Sequence, residues 1–123
     1  VTPIHPQAYI APQCSIGRGS VICARAHIGV GTTVGENTIV HSASQIGHLC
    51  QIGDHTLISG GATVGAAVTV GDEATVAIGA TVASRVTVGT RGLVSVGSAA
   101  DQDVAPGTRV RGVPARPRGR VRL

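Results

Sequence analysis

Residues 58–94 read ISGGATVGAAVTVGDEATVAIGATVASRVTVGTRGLV, and every sixth residue is aliphatic: Ile58, Val64, Val70, Val76, Val82, Val88 and Val94. Counting backwards by six continues the series unbroken through Ile52, Ile46, Val40, Val34, Ile28, Ile22, Ile16 and Ile10 to Ile4. The residue two before each is small, from Ala8, Cys14 and Ser20 through Cys50 and Thr56 to Gly92. Glycine follows the aliphatic residue in half of the repeats, where a turn asks for a permissive backbone. A helix needs apolar residues at a 3.6 period and an ordinary strand at a period of two. A strict six fits a short strand plus a corner, three of which close a triangular coil. The pattern therefore predicts an all-β protein, a single-stranded parallel β-helix of about five coils. It occupies residues 1–99, with residues 100–123 as a short C-terminal tail.

Composition agrees with a narrow core. Tyr9 is the single aromatic residue of the 123, and Phe, Trp and Met are absent. Ile, Val and small side chains must fill the interior. The same lack removes the stacking platforms that single-stranded nucleic acid binders use, so nucleic acid is not an expected partner. No apolar run reaches the 18 residues of a membrane span, and the start VTPIHPQAYIAP lacks the layout of a signal peptide. Three cysteines, an odd number, read as free thiols; the expected location is the cytoplasm. The net charge of +4 is uneven, because all ten basic residues are Arg and six of them (Arg109, Arg111, Arg116, Arg118, Arg120, Arg122) fall in the last fifteen positions. The aliphatic column alone does not offset the entropy of ordering the chain, so packing against other copies is expected.

Two stretches carry a family resemblance. One is ENTIVHSASQIGHLCQIGDHTLISGGATV, residues 36–64; the other is DVAPGTRVRGVPARP, residues 103–117. With the hexads, they resemble the hexapeptide-repeat acyltransferases, most nearly the NeuD/PglD group of sugar acetyltransferases; the first is also similar to the acyltransferases of lipid A synthesis. The resemblance implies a left-handed coil, a homotrimer, acetyl-CoA as co-substrate, no metal, and a sugar or sugar nucleotide acylated on an amino or hydroxyl group.

The resemblance implies His48 as the general base. An imidazole suits that role, because the acceptor must lose a proton as it attacks a thioester. His48 follows the inward Ile46 by two residues, so it should occupy an exposed corner. Eighteen residues on lies Ala66, where the resemblance places a backbone N–H that binds the thioester oxygen. One coil spacing of about 4.8 Å should separate the two. The resemblance further places Ala66, Ser84, Arg109, Arg111, Pro114 and Arg116 along the coenzyme, since Arg suits phosphates. Asn37 and His55 are the candidates for acceptor binding. For Arg118, Arg120 and Arg122 a frayed, solvated end is the simpler expectation.

Departures mark this chain. Leu49 stands where the sugar acetyltransferases place an acidic residue after the histidine, and Leu57 where they carry a second histidine. Their N-terminal α/β domain has no counterpart here, so the chain reads as a minimal member or an excised domain. His5, Cys23 and His41 stack eighteen apart, but His5 and His41 are two spacings apart, too far to share a zinc at bonds of about 2.0–2.1 Å. Cys14 and Cys50 sit at inward small positions, about 9.6 Å apart and beyond disulfide reach. Two other functions compete: a metal-dependent hydratase like the γ-class carbonic anhydrases, which need three converging histidines, and a non-catalytic scaffold.

Overall fold

The computed structural model describes residues 2–121. Two-residue strands recur every six residues from Tyr9–Ile10 to Ala99–Ala100 and stack as three parallel sheets. Face I carries Ile22, Val40, Ile58, Val76 and Val94, face II carries Ile10, Ile28, Ile46, Val64 and Val82, and face III carries Ile16, Val34, Ile52, Val70 and Val88. Every ladder from Ile4 to Ala100 pairs residues eighteen apart, as in Gln45↔Thr63 and Ile46↔Val64. From Ile22 to Val94 the aliphatic residue of each strand on faces I and II is at most 2% exposed.

Glycine plays a different part from the one the sequence suggested. The left-handed residue of each turn is the third after the aliphatic one, and it recurs every six positions from Gln13 to Gly97. Most of these residues are not glycine; Asn37, Leu49, His55, Ala67 and Glu73 all lie between φ 53 and 59. A left-handed L-residue costs roughly 1–2 kcal/mol. The conformation turns its N–H along the solenoid axis onto the coil below, as in Leu49 N to Val30 O and Ala67 N to His48 O, both 2.9 Å. The glycine directly after the aliphatic residue answers a steric need instead. A Cβ on Gly29 would lie 2.6 Å from Gly47 C, and one on Gly47 2.8 Å from Gly65 C.

The small inward positions do more than save space. Thr32 Oγ1 donates to Gly47 O at 2.8 Å and accepts from Cys50 N at 3.2 Å, and Cys50 Sγ donates to Gly65 O at 3.0 Å. Ser20 and Thr38 bond in the same way on the next corner. Among the described residues, no buried side-chain nitrogen or oxygen lacks a partner.

The coil does not stop at residue 99. Ala99–Ala100 extends face II, and Val104 and Val110 then pair with Val88 and Val94 across steps of sixteen residues, so a sixth, shorter coil follows the five counted in the sequence. The segment read as a tail folds into an antiparallel hairpin of Thr108–Gly112 and Ala115–Arg120. Its Val110 and Ala115 are buried, as is Val104 before it, which seals the C-terminal end of the core. Arg118 and Arg120 lie in this strand and not in a frayed end; Arg122 lies outside the described residues.

Outward side chains differ by face. Faces II and III present polar residues such as Gln45, Thr63, Thr81, Thr33, Gln51 and Thr69, whereas face I presents Val21, Ile39, Leu57 and Leu93. No helix is long and apolar enough to cross a membrane.

Candidate active site

The edge between faces II and III carries the candidate base. Gly47, His48 and Leu49 turn the chain from Ile46 to Cys50, and the turn is held from behind by Thr32, which bonds to the peptide groups at both of its ends. His48 is exposed and Ile46 is 1% exposed, so the corner position read from the sequence is the one observed. Val30 lies one coil below His48 and is 43% exposed; Leu49 beside it is 60% exposed and covers Gly31, whose added Cβ would meet Leu49 Cδ2 at 2.8 Å. Two exposed apolar side chains, Val30 and Leu49, thus neighbour His48 along the turn and the column.

Ala66 is one coil above. A Cβ placed on Gly47 would lie 3.0 Å from Ala66 N, and Ala67 N donates to His48 O at 2.9 Å, so the two turns are in direct contact. The Ala66 N–H donates at 3.0 Å to Ser84 Oγ, one coil further up. His48, Ala66 and Ser84 therefore form one column, and the hydroxyl of Ser84 occupies the donor expected for a substrate oxygen.

The arginines divide between surfaces. Arg116 reaches this edge from the hairpin, its Nη1 2.9 Å from Asp101 Oδ1, and Asp101 tops the column of Gly47, Gly65 and Ala83. Three spacings put that ion pair about 14 Å above the His48 turn. Arg109 and Arg111 lie on face I, where with Leu93, Ser95 and Val96 they line a groove of about 430 Å³. Arg109 also donates from Nε and Nη2 to Arg118 O, and with Arg118 and Arg120 it lines a second groove of about 560 Å³. Within one chain these two arginines are not on the edge of His48. Pro114 is exposed in the loop of the hairpin. Asn37 and His55 occupy left-handed positions on the edge between faces III and I, again apart from His48. Arg85 is absent from the set expected from the sequence. It is exposed beside Ser84 on the edge of His48, and a count of thirty-six from Leu49 leads to it.

His5, Cys23 and His41 lie on the edge between faces I and II, each donating its N–H to the coil above, and no group of three or more His, Cys, Asp or Glu side chains converges among the described residues. Cys50 is buried, and desolvation pushes its thiol above the ordinary range.

No family model and no curated protein sequence matches the chain. Solved structures do. PerB from Caulobacter crescentus, crystallised with CoA and GDP-perosamine, superposes with a TM-score of 0.95 at 28% identity, over 97% of this chain and 57% of that one. The acetyltransferase domain of PglB from Neisseria gonorrhoeae FA1090 does so with a TM-score of 0.89 at 32% identity, over 95% and 57%. AntD, an N-acyltransferase from Bacillus cereus, shares the fold, with a TM-score of 0.89 at 14% identity over 98% and 80%. The repeat, the fold and these likenesses define the class: the chain is a hexapeptide-repeat β-helix similar to the sugar acyltransferases of that superfamily. Its likeness is to the NeuD/PglD type, and it spans 57% of the length of the PerB and PglB chains it matches.

Proposed function

We propose that the chain transfers an acyl group, acetyl in the first instance, from coenzyme A to an amino or hydroxyl group of a sugar or sugar nucleotide, with His48 as general base. The observation that carries this reading is the column of His48, Ala66 and Ser84 on one open edge, an imidazole one coil below hydrogen-bond donors. The proteins it resembles were crystallised with CoA and a nucleotide sugar in one case and are named an acetyltransferase domain in another.

The chemistry follows from that order. The acceptor nitrogen or oxygen attacks the thioester carbon while its proton passes to the His48 imidazole. Negative charge collects on the carbonyl oxygen, and fixed donors above the imidazole stabilise it. As the carbon–sulfur bond breaks, the sulfur leaves and recovers a proton from the imidazolium. The products are the acylated sugar and free CoA. No protein nucleophile takes part. Arg85 and Arg116 supply cations on the same edge for the coenzyme phosphates.

We further propose a homotrimer. In a closed ring of heterologous contacts, each copy sets one surface against a different surface of the next. Face I is the apolar partner such a contact needs, with Ile39 39% exposed. Setting face I of one copy against the His48 edge of the next would bring Arg109, Arg111, Asn37 and His55 toward the base. Ile39→Asp should then yield monomers in light scattering. A cytoplasmic location agrees with three free cysteines.

The test is acetyl transfer to a panel of nucleotide-linked amino sugars. His48→Ala should lower the rate by about 10²–10⁴-fold, and a near-normal rate would end the assignment. The hydratase alternative has no geometric support, because His41 and His48 stand on different edges.

A further inference from the structure

On the two edges bordering face III, the second residue of three turns shares one arrangement. Its N–H points up the solenoid and meets a side-chain acceptor one coil above. Glu36 N donates to Asp54 Oδ1 at 2.8 Å, Asp54 N to Asp72 Oδ1 at 2.9 Å, and Ala66 N to Ser84 Oγ at 3.0 Å. Two of these acceptors are carboxylates, which have nothing further to donate. The third is a hydroxyl, and a hydroxyl that accepts a hydrogen bond still holds its own proton.

Five buried hydroxyls spend that proton on a turn carbonyl: Ser20 on Gly35 O, Thr32 on Gly47 O, Thr38 on Gly53 O, Thr56 on Gly71 O and Ser44 on His41 O. Ser84 does not: it is exposed, and among the described residues its hydroxyl has no acceptor. An N–H donated into an oxygen polarises the O–H on that oxygen. The Ser84 proton is therefore both unspent and sharpened, at a point one coil above Ala66 and two above His48.

We propose that the Ser84 hydroxyl is the oxyanion donor of this site, relaying the Ala66 N–H to the thioester oxygen. The inference rests on the acyltransferase reading. It revises the role of Ala66, whose N–H is already engaged and acts through Ser84 and not directly. The acceptor attacks from the His48 side, the carbonyl oxygen turns upward, and Ser84 Oγ–H donates to it as charge develops. The proton stays on Ser84, no covalent bond forms there, and the electron pair returns to expel the sulfur. Ser84 touches the reacting atom; Ala66 is a positioning residue.

Ser84→Val and Ser84→Thr differ by the hydroxyl alone, and the exposed position tolerates both, which thermal unfolding checks. Removing an oxyanion donor costs about 10²–10³-fold in turnover; uncovering the Ala66 N–H recovers part, so Ser84→Val should lose at least about tenfold in kcat/KM. Ser84→Thr should restore most of that loss. In calorimetry, CoA, which has no thioester carbonyl, should bind both variants alike, whereas acetyl-CoA should bind Ser84→Val about 2–10-fold more weakly, the loss of one hydrogen bond. If Ser84→Val transfers as fast as the wild type, or faster, Ser84 only covers the Ala66 N–H and the inference is overturned, while a His48→Ala variant that is still inactive leaves the acyltransferase reading standing. If the wild type binds neither CoA nor acetyl-CoA, that reading falls and this inference with it.

Discussion

Replacing Gly47 by alanine tests the stacking of coils and the site together. The added Cβ would lie 2.8 Å from both Gly65 C and Gly65 O and 3.0 Å from Ala66 N, all backbone atoms that cannot swing aside. Ordinary contact begins at 3.4 Å, so the coils must part by about 0.6 Å at this corner. Two hydrogen bonds cross the same gap, Gly47 N to Val64 O and Ala67 N to His48 O, each 2.9 Å. Parting would stretch them to about 3.5 Å, past the useful range. At about 0.5–1.5 kcal/mol each, the loss is about 1–3 kcal/mol, in the range measured for overpacked sites. Gly60→Ala is the control, because its Cβ would meet only Ser42 O at 3.6 Å and its φ is ordinary; it should be neutral or stabilising by up to about 1 kcal/mol. Urea unfolding followed by far-ultraviolet circular dichroism, at one protein concentration because assembly contributes, measures both. The Gly47 variant should also lose acetyl transfer, since the parting separates His48 from Ala66. Equal midpoints for the two variants would refute the argument that close approach, and not backbone freedom, fixes glycine at the first turn position.

Leu49→Glu should be tolerated, because Glu73 holds the equivalent left-handed position at φ 59. A carboxylate beside the ring favours imidazolium, so the acid limb of the pH–rate profile should move to higher pH by up to about one unit; an unmoved limb would show that residue 49 does not sense the base. Burial raises the Cys50 thiol, so above the ordinary thiol range the unfolded chain loses a proton that the folded chain keeps. Stability present below the unfolded pKa should therefore fall as pH rises, by up to about 1.4 kcal/mol per pH unit, and Cys50→Ser should abolish that slope in denaturant titrations. Arg116→Ala removes an exposed ion pair with Asp101 and should cost under about 1 kcal/mol of stability, yet weaken CoA binding in calorimetry. Unchanged affinity would remove Arg116 from the coenzyme path.

The six-residue step was legible because each inward position must be aliphatic or small, and one substitution leaves the count intact. The corner position of His48 and its contact with the turn of Ala66 followed from counting. Three things did not follow. The capping hairpin breaks the count, since its step is sixteen and its strands carry Arg109, Arg116 and Arg118 outward. The Thr32 and Ser84 hydrogen bonds were invisible, because Ser, Thr, Cys and Ala all satisfy a small position and only coordinates show which hydroxyl reaches which peptide. The separation of Arg109 and Arg111 from His48 was hidden as well: distance along the solenoid can be counted from sequence, but the face on which a hairpin docks cannot.

The capping ion pair has a consequence for ligand length. Arg116 is fixed to Asp101, and Asp101 is fixed to the column of Gly47 by whole coils. Inserting or deleting one eighteen-residue coil between them would slide that cation along the edge by about 4.8 Å with every other pairing intact. On the roles proposed for His48 and Arg116, the solenoid would act as a notched ruler, whose sequence could retune how long a molecule it accepts without altering the turn at its zero mark.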